Sequence, residues 1–120
     1  MLDAAGLKAK VAQVSSAWNQ VMLKGSVLAD LDRLFSPYSD DFVYRHGAYG
    51  GEYSKAELSA MQSQGRYTNM EPCYRILTQL PGYKAVAVER QGVQNRVAVT
   101  HFAVFEFDGD KVSRIIEYWK

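Results

Sequence analysis

The side chains of this 120-residue chain best placed to move a proton are its two histidines, His46 and His101, and one oddly placed carboxylate, Glu117. Glu117 stands in "KVSRIIEYW", where strand alternation sets it on the side of Ile115 and Trp119. A carboxylate between a branched aliphatic and an indole is costly unless it is paired or used. An imidazole with a carboxylate partner is a tunable acid–base pair. The carboxylate fixes the tautomer and raises the imidazole pKa from its usual ~6.5 toward neutrality or above. Such a pair can remove a proton alpha to a carbonyl or return one to a leaving hydroxyl. The plain alternative is that Glu117 pairs with Arg45, Arg75 or Arg114 at the sheet rim and that His101 is a hydrogen-bonded core residue. A slip of one residue in the last strand would turn Glu117 outward and Tyr118 inward.

Other chemistries are not written in the sequence. His46 and His101 lie far apart without a third nearby ligand, which is no zinc pattern. Phosphate loops, dinucleotide fingerprints and serine-nucleophile motifs are absent, so no cofactor and no metal is expected. Asp108 to Asp110 reads as a turn, with too few ligands for a calcium loop, and Asp40 and Asp41 as solvated turn residues. Cys73, the only cysteine, permits no intrachain disulfide and reads as a small buried hydrophobe in a reducing compartment. The net charge of +1 argues against nucleic acid, whose binders carry a clustered basic excess. "MLDAAGLKAKVAQ" lacks the apolar core of a signal peptide, and no run approaches the ~20 apolar residues of a membrane helix. A cytoplasmic location is expected.

The elements that must position these groups follow from periodicity. Leu7, Val11, Val14, Trp18 and Val21 form one stripe of an amphipathic helix that Gly25 should end. A second helix carries Leu28, Leu31, Leu34 and Phe35 on one side and stops near Ser36, ahead of Pro37. Asp41 to His46 reads as a strand with Phe42, Tyr44 and His46 on one face, and "GAYGG" as a loop. Ser54 and Glu57 make a capping box for a third helix that reaches about Gln64. Strands are expected over 71–80, 83–91, 96–107 and 111–119, joined by turns short enough to make an antiparallel meander.

With 48% hydrophobic residues and this length, residues 1–120 should form one domain with one core. Helices can cover only one face of such a sheet. Along Arg96 to Phe107 neither the odd set (Val97, Val99, His101, Ala103, Phe105, Phe107) nor the even set (Ala98, Thr100, Phe102, Val104, Glu106) is polar. An uncovered apolar face predicts a homodimer through the convex side of the sheet.

The helix with Trp18, the passage "LDRLFSPYSDDFVYRHG", the run from Gly51 to Leu58 and above all "FEFDGDKVSRIIEYW" resemble the nuclear transport factor two-like superfamily, in particular its SnoaL-like and ketosteroid isomerase-like branches. The resemblance spans nearly the whole chain and implies an α+β cone, a curved antiparallel sheet wrapped around three helices with a pocket in its open end. It implies His46 at the position of the isomerases' catalytic base. The isomerases' oxyanion donors, a tyrosine and a protonated aspartate, fall on Trp18 and Ala103 here, so steroid isomerisation by that route is not expected. The dehydratase branch uses histidines and tyrosines, a style that His101 and Tyr44 share.

The resulting expectation is a cofactor-free acid–base isomerase, dehydratase or cyclase. His46 would be the base, Glu117 would orient it, and His101 or Tyr44 would donate to a developing oxyanion. Trp18, Met22, Phe42, Met61, Phe105 and Trp119 would wall a pocket for a small, partly aromatic or polycyclic molecule bearing one or two oxygens. The alternative is a non-catalytic small-molecule binder or a protein-interaction domain.

Overall fold

Asp3 opens the first helix, its carboxylate accepting from the Gly6 amide at 2.8 Å. In the computed structural model, which describes residues 2–47, 50–64, 74–94 and 97–118, this helix is α1 (Ala4–Met22). The expected stripe faces inward: Leu7, Val11, Val14 and Val21 are buried, and Ser15 is buried beside them. α1 ends at Met22, ahead of the expected Gly25, because Leu23 is already extended; Gly25 serves the following turn at φ +88°. α2 (Leu28–Phe35) buries Leu31, Leu34 and Phe35 but leaves Leu28 exposed. Asp30 closes its first turn by accepting from the Val27 amide and Arg33, each at 2.9 Å. α3 (Lys55–Gln64) starts from the expected capping box, with the Ser54 and Glu57 side chains each bonding the other's amide at 3.1 Å.

Six strands make one curved, unclosed sheet: β1 (Tyr38–His46), β2 (Glu52–Ser54), β3 (Arg75–Gly82), β4 (Ala85–Gln94), β5 (Val97–Asp108) and β6 (Lys111–Tyr118). β3 to β6 form the expected antiparallel meander, and Gly109 at φ +61° makes the tight turn between β5 and β6. β1 begins at Tyr38, ahead of the expected Asp41, so Asp40 and Asp41, expected in a turn, are exposed residues of the strand. Two further features depart from expectation. β2, which follows the expected GAYGG loop and for which no strand is expected, pairs with β1, and β1 lies parallel to β6, so the order is β2-β1-β6-β5-β4-β3 and the sheet is mixed. A parallel neighbour requires a long crossover, here everything from β2 to β5, and no local turn signal announces it. The expected strand start at residue 71, Cys73 and Trp119 lie outside the described residues.

The three helices and the sheet's inner face enclose the core. Val86 and Val88 of β4, Ala103, Phe105 and Phe107 of β5, and Val112 and Ile115 of β6 meet α1 residues Leu7, Val11 and Val14. The result is the α+β cone that the resemblance implied, with a mixed sheet in place of the expected antiparallel one. Among the described residues no helix is long and apolar enough to cross a membrane.

Candidate functional site

The alternation that raised the question of Glu117 holds. β6 buries Ile115, half-buries Glu117 and leaves Tyr118 exposed, so Glu117 faces the cone interior. Its strand neighbours are His46 on β1 and Ala103 on β5. The Gly47 amide donates to the Glu117 carbonyl at 2.6 Å and ties the end of β1 to this point.

Glu117 pairs with none of the three rim arginines. Arg114 forks onto Glu106 at 2.7 and 2.9 Å, Arg75 donates to Gln91, and Arg45 is exposed. Its partner is Arg90 of β4, whose Nη2 donates to Oε1 at 2.5 Å, while the Tyr44 hydroxyl donates to Oε2 at 2.8 Å. The side chains of this ion pair are only 4% and 12% exposed. Strands lie about 4.8 Å apart, so two long side chains must reach across β5 to meet. The residue opposite Glu117 on β5 is Ala103, whose single methyl leaves them room.

Contacts from Tyr74 and His101 fix Arg90. The Tyr74 ring lies 4.3 Å from the guanidinium carbon and 5.5 Å from the His101 ring. Tyr74 is itself clamped by Asn19 of α1, whose side-chain amide donates to the Tyr74 carbonyl and accepts from its N–H, both at 2.9 Å. His101, opposite Arg90 in the register, is held below the usual imidazole pKa, first by burial and then by the Arg90 charge, with Glu117 opposing and His46 adding to the depression. It is therefore a neutral imidazole at neutral pH. Burial, and then the Glu117 charge, push the Tyr38 phenol above its ordinary range, so it too stays neutral.

Val14, Ser15, Trp18, Tyr38, Tyr44, Leu58, Arg90, Phe105, Ile115 and Glu117 line a cavity of about 20 Å³, room for one water-sized molecule. Of the residues expected at the site, Glu117, Tyr44, Trp18 and Phe105 are thus brought together. His46 and His101 are buried on the same inner face but do not line this cavity. Phe42 is core, stacked on Tyr38 at 4.2 Å between centroids, Met22 is half-buried away from the cavity, and Met61 is 48% exposed on α3. Among the described residues no three His, Cys, Asp or Glu side chains gather as metal ligands would.

Arg90, Ser15 and Tyr38 were not singled out from the sequence, although two of them carry a signal. Arg90 has the parity of the buried Val86 and Val88, and Ser15 lies four residues after Val11 on the helix stripe.

No family model matches the sequence, and no curated protein matches it. Solved structures do. A candidate ketosteroid isomerase from Kribbella flavida superposes with a TM-score of 0.77 at 12% identity, over 98% of this chain and 80% of its own. An NTF2-like protein of unknown function from Cytophaga hutchinsonii gives 0.71 at 8% identity, over 95% and 89%. The fold is nuclear transport factor two-like. A third such protein, from Catenulispora acidiphila, has a ketosteroid isomerase-like fold and was crystallised with trimethylamine; it gives 0.62 at 13% identity, over 90% and 85%. At these identities the likeness establishes the nuclear transport factor two-like cone and no particular chemistry, since one fold hosts many functions.

Proposed function

We propose that the cone interior binds a small, largely apolar molecule bearing one or two oxygens. The observation that carries this reading is the Arg90–Glu117–Tyr44 network at the wall of an otherwise apolar cavity. Folding does not require such a network, because a buried ion pair is commonly no more stabilising than the apolar side chains that could replace it. Charged groups converging on an apolar hollow are what a specific binding site needs. The cavity of about 20 Å³ favours a compact ligand over a polycyclic one, and admitting it requires the half-buried walls Trp18 and Tyr44 to swing.

A screen of small apolar oxygenated compounds by amide NMR tests this. Hits should perturb Ser15, Trp18, Arg90 and Phe105 together, whereas perturbations confined to the outer face of the sheet would sink the reading.

The second reading is cofactor-free proton transfer at this site, supported by the registration of His46 beside Glu117 and by the neutral His101 beside Arg90. Tyr44 is less suited to the oxyanion role, since its proton is already given to Glu117. In D2O a bound enolisable ketone should then exchange its alpha protons, and His46→Gln should stop the exchange. We also propose that a second copy of the chain covers the outer face of the sheet, where Phe102 and Leu80 are 53% and 65% exposed.

A further inference from the structure

We infer that Ser15 and Arg90 form a subsite for a neutral hydrogen-bond acceptor, the oxygen of a ketone, aldehyde or amide, and that the cavity discriminates against carboxylates and amines. The inference rests on the reading of the cone interior as a binding pocket and adds to it the polarity of the ligand.

Two observations carry it. Ser15 Oγ and Arg90 Nε are buried hydrogen-bonding atoms on residues that line the cavity, and neither has a hydrogen-bond partner among the described residues. Ser15 is 6% and Arg90 4% exposed, so bulk water does not satisfy them. A buried donor without a partner is costly, and a ligand that supplies an acceptor recovers that cost on binding. Arg90 Nε–H can only donate, whereas a serine hydroxyl rotates to donate or accept. A carbonyl oxygen, with two lone pairs, can receive both donors at once.

The charge balance supplies the second half. Of the described residues that line the cavity only Arg90 and Glu117 carry charge, and they are already paired with each other. A carboxylate bound there would leave one negative charge in excess, and an ammonium one positive charge, in surroundings made by Val14, Trp18, Phe105 and Ile115. Uncompensated buried charge is far costlier than an uncharged dipole. The ligand must therefore accept hydrogen bonds without adding charge. Neither half follows from the fold, because the donors of the isomerase site fall on other positions, Trp18 and Ala103.

Cyclohexanone, cyclohexanecarboxylate and cyclohexylamine share one ring and differ in charge and acceptor, so they separate these effects. Each is titrated into the intact chain while the Arg90 Nε–H and backbone amide resonances are followed by NMR. Cyclohexanone should shift Arg90 Nε–H, and the carboxylate and the amine should bind at least tenfold more weakly. Ser15→Ala removes only a hydroxyl from a helix that favours alanine, so the variant should keep its melting temperature while binding cyclohexanone about fivefold more weakly, the worth of one neutral hydrogen bond. Equal or tighter binding of the carboxylate, or cyclohexanone binding indifferent to Ser15→Ala, overturns the subsite alone. If none of the three compounds perturbs any cavity-lining resonance, the pocket reading falls and the subsite with it.

Discussion

Glu117 shows how far a single side chain can be read. Alternation places it inward, and inward it is; what alternation cannot supply is the identity of its partner, Arg90, twenty-seven residues away in sequence. The same alternation applied to Val86, Val88 and Arg90 would have placed a buried cation on the inner face as well, and two buried opposite charges on one face ask to be paired. The pair makes a quantitative prediction. Arg90→Met takes the paired cation away from the buried Glu117 carboxylate, and should cost roughly 3–5 kcal/mol in urea unfolding. Joining it to Glu117→Leu should restore most of that loss, since the remaining site is then apolar. A single substitution costing less than about 1 kcal/mol, the range of an exposed pair, would contradict the buried pairing.

At the scale of elements, the helices and the four-strand meander were legible because their signals are local: the stripe of α1, the Ser54 and Glu57 box, and the turn at Gly109. β2 was missed because three residues are too few to show a period, and the parallel contact of β1 with β6 because it joins strands separated by most of the chain. The Asn19 clamp is another contact of this kind, tying the last turn of α1 to the residue before β3. Asn19→Ala should destabilise the fold by about 1–3 kcal/mol by removing two hydrogen bonds to the part-buried Tyr74 backbone. It should also free the Tyr74 ring, so that His101, less shielded from water, titrates closer to an ordinary imidazole. An NMR titration of His101 that is identical in the variant and the parent would show that the clamp does not position the site.

For the whole molecule the unresolved demand is the outer face. Thr78, Leu80, Ala87, Glu89, Phe102 and Val104 line a groove of about 380 Å³ there, and no helix covers it among the described residues. Most of this surface is apolar, while the Arg114–Glu106 pair marks a polar margin. The proposed second copy would bury it symmetrically. Sedimentation at micromolar concentration should then give a dimer, and Phe102→Lys a folded monomer, because a charge in the centre of an apolar contact is not solvated. A monomeric parent chain would remove the proposal and leave the groove to another protein.

Sequence alone determined the periods, and with them the element types, the inward faces and the inward carboxylate, because side-chain direction along a helix or strand is set by backbone geometry within a few residues. It also carried the resemblance that implied the cone. The tertiary structure alone decided that β1 lies beside β6, that Glu117 meets Arg90 across the methyl of Ala103, that His46 is buried without lining the cavity, and that the hollow holds about 20 Å³. Those outcomes depend on which distant segments become neighbours and how closely their side chains fill the space between them, and no local pattern records either.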